Sequence, residues 1–229
     1  MTKQQKTKPR HRLTTRVWHW TNAAALIVLF MSGLNIFNAH PRLYWGQYGF
    51  DPADAWLILV RFPAWATIPG FYSLADARLW HLLFAWVLAL GLTLFFVTSL
   101  VNGHLRKDIH ITRKDWRLSN IRNDVVQHLK FNFDHGISKY NFLQKFTYAF
   151  VMFILIPMII FTGITMSPAM NASWPWLLDL FGGRQSARSL HFIAAWSLFA
   201  FFVVHVLLVL LSGPFRQMRD MITGGSAEA

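Results

Sequence analysis

Ten histidines are spread along the chain. Four of them, His19, His81, His191 and His205, fall inside long apolar stretches, where an ionisable side chain is costly and calls for an explanation. The other six, His11, His40, His104, His110, His128 and His135, lie in polar connections or tails and are given no ligand role. His191 and His205 are fourteen residues apart. On a helix turning by about 100° and rising about 1.5 Å per residue, that spacing returns to within about 40° of one face and separates the rings by roughly 21 Å. One helix can therefore offer an imidazole at each of two depths. Imidazole binds zinc, copper, nickel and haem iron, but the non-haem sites usually recruit carboxylate or thiolate too. The stretches contain neither, because Asp76 and Asp179 lie outside them and cysteine is absent. Two imidazoles filling both axial positions of an electron-transfer haem match this chemistry. Proton relay is the other possibility, although such relays commonly include Asp or Glu.

The elements that must position these histidines are membrane helices. More than half of the residues are apolar and only 14% are charged, which is too apolar for an ordinary soluble domain. The apolar residues come in four runs, each reaching the roughly 20 residues needed to cross a hydrocarbon core. The predicted helices are 15–37, 79–102, 141–167 and 188–211, an all-α, four-helix integral membrane bundle without a separate soluble domain. A basic tail is expected over 1–14, the membrane domain over 15–219 and a second tail over 220–229. The polar, basic start and the length of the first run predict a permanent anchor rather than a cleaved signal. Without cysteine there are no disulfides, no thiolate iron–sulfur ligation and no covalent c-type haem, so any haem would be held non-covalently, as a b-type haem is.

Charge sets the expected direction of each helix. The net charge of +12 might suggest nucleic acid, but its distribution points to membrane topology instead. Segments 1–16, 103–145 and the tail after Ser212 hold seventeen of the twenty-two Lys and Arg, leaving Arg42, Arg61, Arg78, Arg184 and Arg188 for the other side. By the positive-inside rule both termini are expected to be cytoplasmic, with the basic face on anionic lipid headgroups. The first helix then enters from inside, placing His19 level with His205. The second enters from outside, placing His81 level with His191. The four histidines sort into an inner pair, His19 with His205, and an outer pair, His81 with His191.

Other features accompany these pairs. Gly33, Gly91 and Gly163 would admit a macrocycle against the backbone, and helix-on-helix packing accounts for them equally well. Arg78 and Arg188 near the outer pair, with Arg16 near the inner one, suit haem propionates or ordinary interfacial anchoring. In the long outer connection, Asp51-Pro52 reads as a helix start, predicting a short helix over 53–61. In the inner connection, Ile121, Val125 and Leu129 recur at four-residue spacing and suit an amphipathic surface helix, a solvated loop being the alternative.

Several stretches together resemble the membrane di-haem cytochrome b subunits of formate dehydrogenases, nickel–iron hydrogenases and thiosulfate reductases. They are RVWHW from Arg16 to Trp20, MSG ending at Gly33, KYNFLQK over 139–145, FTGITMSP over 161–168, RSLH ending at His191 and VHV around His205. The outer segment NAHPRLYWG over 38–46 is most similar to the thiosulfate-reductase-type branch. The resemblance implies two haem b groups, one held by His81 and His191 and one by His19 and His205. It also implies a quinone site on the inner side at Asn141 and Gln144. Both side chains can hydrogen-bond a quinone carbonyl, and Asn141 also suits the amino cap of a helix. The expected role is an electron-transfer subunit of the bacterial inner membrane rather than a complete enzyme, with no catalytic residue of its own. It would link membrane quinone to a periplasmic oxidoreductase subunit, expected to contain molybdopterin. The alternative is a stand-alone quinone-linked oxidoreductase for a diffusible species such as superoxide.

Overall fold

Backbone polar groups cannot be left unpaired in hydrocarbon, so long apolar runs fold as helices that satisfy their own hydrogen bonds. The computed structural model describes residues 11–101, 116–129 and 142–225. Among them four helical segments are long and apolar enough to cross a membrane: Leu13–Asn38, Leu74–Val101, Phe142–Met166 and Arg184–Leu211. The first, second and fourth are single helices, α1 (Leu13–Asn38), α2 (Leu74–Val101) and α8 (Arg184–Leu211). Between α2 and the third segment lies α3, Leu118–Leu129, which carries the Ile121, Val125 and Leu129 register. The predicted helix ends at Asn102 and Asn141 lie outside the described residues.

The third segment is not uniform. It consists of α4 (Phe142–Phe150), a π-helical turn at Val151–Leu155 and α5 (Ile156–Met166). Pro157 explains the change, since its ring clashes with the carbonyl four residues back and it has no N–H to donate. A wider turn just upstream accommodates that loss without ending the helix. Two short helices follow, α6 (Pro168–Ser173) and α7 (Trp176–Leu180). After α8, Gly213 at φ +94° turns the chain into α9, Pro214–Thr223. Sequence reading placed this stretch partly in a tail.

The chain divides into two units, Met1–Ala24 with Leu90–Lys145 and Phe202–Ala229, and Ala25–Ala89 with Phe146–Phe201. In the first, Trp18 stacks on Phe95 with ring centres 4.1 Å apart. A Cβ on Gly91 would stand 3.8 Å from the Asn22 amide nitrogen, so the small residue keeps α1 and α2 close. The C-terminal end of α9 is tied to the start of α1. Trp20 Nε1 donates to the Met221 carbonyl (3.2 Å), Arg16 donates to the Ile222 carbonyl, and His11 N donates to Gly224 O (3.0 Å). These bonds satisfy carbonyls that a helix end leaves unpaired.

In the second unit the long connection between α1 and α2 is held by side chains that capture backbone groups. Asn38 accepts from Phe62 N (2.8 Å) and donates to Phe62 O (2.9 Å), while Asn35 donates to the carbonyls of Pro69 (3.1 Å) and Phe71 (2.8 Å). The short helix expected over 53–61 does not form. Instead a 3-10 turn, Pro52–Asp54, capped by Asp51, leads into a two-residue strand β2 (Leu57–Ile58) antiparallel to β1 (Arg42–Leu43). Trp56, Ile58 and Val60 favour extended backbone, and Pro63 holds Phe62 out of helical geometry.

Both α2 and α8 begin before the expected residues, Leu79 and Arg188, because polar first turns are capped. Ser73 accepts from Asp76 N (3.3 Å) and donates to its carboxylate (2.8 Å), a reciprocal cap on α2. At α8 the carbonyl of Gly46 accepts from Gln185 N and Ser186 N, and the Gln47 side chain accepts from Arg184 N. Gly183, at φ +104°, permits this approach; a Cβ there would lie 2.7 Å from the Gly46 and Gln47 backbone.

Candidate cofactor site

The four histidines of the apolar runs come together as two pairs, one within each unit. His19 on α1 faces His205 on α8 with ring centres 6.2 Å apart, and His81 on α2 faces His191 on α8 at 6.1 Å. The ring planes cross at 58° and 57°. With about 2 Å per metal–nitrogen bond and about 1.2 Å from nitrogen to ring centre, two imidazoles on one iron stand roughly 6.4 Å apart. Both separations therefore fit an iron between the rings. Among the described residues no cluster of three or more His, Cys, Asp or Glu forms, so neither pair has the further protein ligands of a zinc or copper site. A haem supplies the equatorial ligands itself and needs only two from the chain.

The surroundings of the His81–His191 pair are built with care at each ring. His81 Nδ1 lies 3.0 Å from Ser32 Oγ on α1, and His191 Nδ1 lies 3.0 Å from Thr162 Oγ1 on α5. The next residue in each case is glycine. A Cβ on Gly33 would stand 3.5 Å from His81 Cε1, and one on Gly163 would stand 3.4 Å from His191 Cε1. Either would take up the space beside the ring edge, at ordinary contact distance from the histidine. Sequence reading singled out both glycines but missed the two hydroxyls. The signal was present as a hydroxyl residue immediately before each glycine.

The His19–His205 pair is dressed differently. His19 Nδ1 is buried and without a hydrogen-bond partner among the described residues, as are Arg16 Nε, Trp18 Nε1 and Asn22 Oδ1 within the same two turns of α1. Buried polar atoms without partners are uncommon and ask for a guest with polar groups. The donors Arg16 Nε and Trp18 Nε1 suit a carboxylate such as a haem propionate.

The arginines expected to meet propionates fall into three environments. Arg188 spends its guanidinium on the loop, donating to the carbonyls of Arg42 (2.8 Å) and His40, and stands 5.7 Å over the Phe37 ring. Arg16 reaches the Ile222 carbonyl but keeps its Nε unpartnered. Arg78 is exposed in the first turns of α2. His40, in the loop beneath Arg188, is held below its ordinary pKa by partial burial and by the neighbouring Arg188 and Arg42 charges. Of the expected quinone residues, Asn141 lies outside the described residues and Gln144 sits in the first turn of α4. The start of α4 is capped from α3, where Asp124 accepts from Phe142 N at 2.8 Å.

Comparison with known proteins agrees with this chemistry. A family model described as prokaryotic cytochrome b561 matches residues 10–224. The chain is 31% identical over 211 residues to a putative protein-methionine-sulfoxide reductase subunit, YedZ1, of Azospira oryzae, covering 91% of this chain and 93% of that protein. It is also 26% identical over 212 residues to a probable Ni/Fe-hydrogenase B-type cytochrome subunit of Cupriavidus necator, covering 83% of this chain and 74% of that protein.

Proposed function

Because this chain belongs to the prokaryotic cytochrome b561 family, a family of haem b membrane electron-transfer subunits, we propose that it is a di-haem subunit linking membrane quinone to a partner oxidoreductase at the outer face. The observation that carries the reading is the recurrence of one arrangement: two imidazoles just over 6 Å apart, twice, on helices long and apolar enough to cross a membrane, with no cluster of three or more His, Cys, Asp or Glu among the described residues. His81 with His191 would hold the outer haem and His19 with His205 the inner one. Haem b supplies a one-electron couple when bound.

The chain's own residues do the rest. His191 and His205 both lie on α8, so this helix carries one ligand of each site. Leu83, Leu90 and Leu94 of α2 are exposed, an apolar surface suited to lipid. Arg16 Nε and Trp18 Nε1 would receive an inner propionate, and Gln144 with Asn141 would bind a quinone carbonyl on the cytoplasmic side. The positive-inside charge bias supports the orientation and the bacterial inner membrane as its location. The partner is a periplasmic oxidoreductase subunit, which fits relatives named as subunits of a methionine-sulfoxide reductase and a hydrogenase. As the sequence resemblance implies, that partner would contain molybdopterin.

Adding a short-chain quinol to the purified, oxidised protein tests the proposal. A b-type α-band should develop, and a quinol-site inhibitor should slow it. A protein that binds haem but whose band stays flat with quinol while dithionite reduces it fully would contradict the quinone link.

A further inference from the structure

The surroundings of His81 and His191 repeat each other too closely to be incidental packing. Ser32 Oγ donates to the carbonyl four residues back, Val28 O, at 2.7 Å, with Leu29 O at 3.2 Å. Thr162 Oγ1 donates to the carbonyl four residues back, Met158 O, at 2.6 Å, with Ile159 O at 3.2 Å. Each hydroxyl has one proton and has given it to its own helix. Towards the histidine it can only accept, so each 3.0 Å contact is a bond from ring Nδ1–H to the hydroxyl oxygen. Both rings are therefore in the Nδ1–H tautomer, with the Nε2 lone pair free. The glycine that follows each hydroxyl clears the ring edge. Ser32 and Thr162 are themselves fully buried, so water does not compete for these bonds.

We propose that Ser32-Gly33 on α1 and Thr162-Gly163 on α5 are matched seats that fix the tautomer of the two axial ligands and lower the reduction potential of the haem between them. A ring that donates from Nδ1 pushes more electron density through Nε2 and stabilises the oxidised metal. Among the described residues His19 has no such acceptor at Nδ1. Ser32 and Thr162 are positioning residues, acting on the iron only through His81 and His191. The inference rests on the bis-histidine reading above.

The test uses the full-length, haem-loaded protein. Haem content of the wild type is measured first, and a protein without a haem at His81–His191 would overturn the functional reading and the seats with it. Redox titration of the α-band then compares wild type with Ser32→Ala, Thr162→Val and Thr162→Ser. Each hydroxyl-free variant should shift one of the two haems to higher potential and leave the other in place, while Thr162→Ser restores the wild-type value. Selective loss of one haem in Thr162→Val with full occupancy in Thr162→Ser also supports the seat. Unchanged potentials with both haems retained, equal shifts of both haems, or loss of both would overturn it.

Discussion

The two histidine pairs have nearly the same ring separation and crossing angle, yet different things stand behind the rings. Behind His81 and His191 are buried hydroxyls that already hold each Nδ1, and beside them glycines that keep the ring edges clear. Around His19 the buried donors and acceptors of Arg16, Trp18, His19 and Asn22 include atoms with no partner among the described residues, while Arg16 and Trp20 bond carbonyls of α9. Equal spacing between ligands thus does not imply equal sites. The rings of one pair are held through Nδ1 by hydroxyls of the fold; beside His19, two neighbouring residues of α1 bond the end of a C-terminal helix instead. Groups that hydrogen-bond a metal's ligands tune a site's affinity and potential without changing which ligands it has.

The largest effect separates the pairs outright. His205→Ala should remove the inner haem and leave the outer one bound, and His191→Ala should do the reverse, as read by haem extracted per polypeptide. Equal retention of both haems in either variant would break the pairing. Next, ending the chain after Ser212 removes α9, its two bonds to α1 and the adjoining bond from His11 N to Gly224 O. Haem occupancy or the spectrum of the His19–His205 site should change while the other site keeps its own; a matching change at both sites would show that α9 does not belong to one pair.

A smaller effect concerns the loop over the outer pair. Arg188→Gln gives up two charge-assisted bonds to the His40 and Arg42 carbonyls, at a cost of about 2–3 kcal/mol. The readout is a lower melting temperature in detergent and faster proteolysis within 39–72, and no change in either would show these bonds to be idle. The smallest effect is on pH. Because the pKa of His40 is lowered by burial, Arg188 and Arg42, the folded protein binds that proton less readily than the unfolded chain. This contribution to stability is intact above the ordinary histidine pKa and declines as pH falls below it towards the lowered value. Melting followed from pH 7.5 to 5.5 should fall less steeply in His40→Gln than in wild type.

The features legible in sequence are those set by length and spacing. Four apolar runs had only one way to satisfy their backbones in a membrane, and the fourteen-residue gap between His191 and His205 required ligands at two depths. What could not be read depends on helix rotation and on long-range closure. Nothing local says that Ser32 turns towards His81, forty-nine residues away, or that Arg16 meets Ile222 near the other end of the chain. The expected helix over 53–61 failed for a related reason. Asp51-Pro52 is a sound local start, but the pairing of Leu57–Ile58 with Arg42–Leu43 outweighs it. The π-helical turn was readable in principle from Pro157, because proline inside an apolar run must disturb the helix before it.

The central claim is that each pair holds its own haem. Haem extraction from the purified full-length protein, set against polypeptide concentration, tests it most directly. The account predicts two b-type haems per chain, and a ratio of one or none would contradict it.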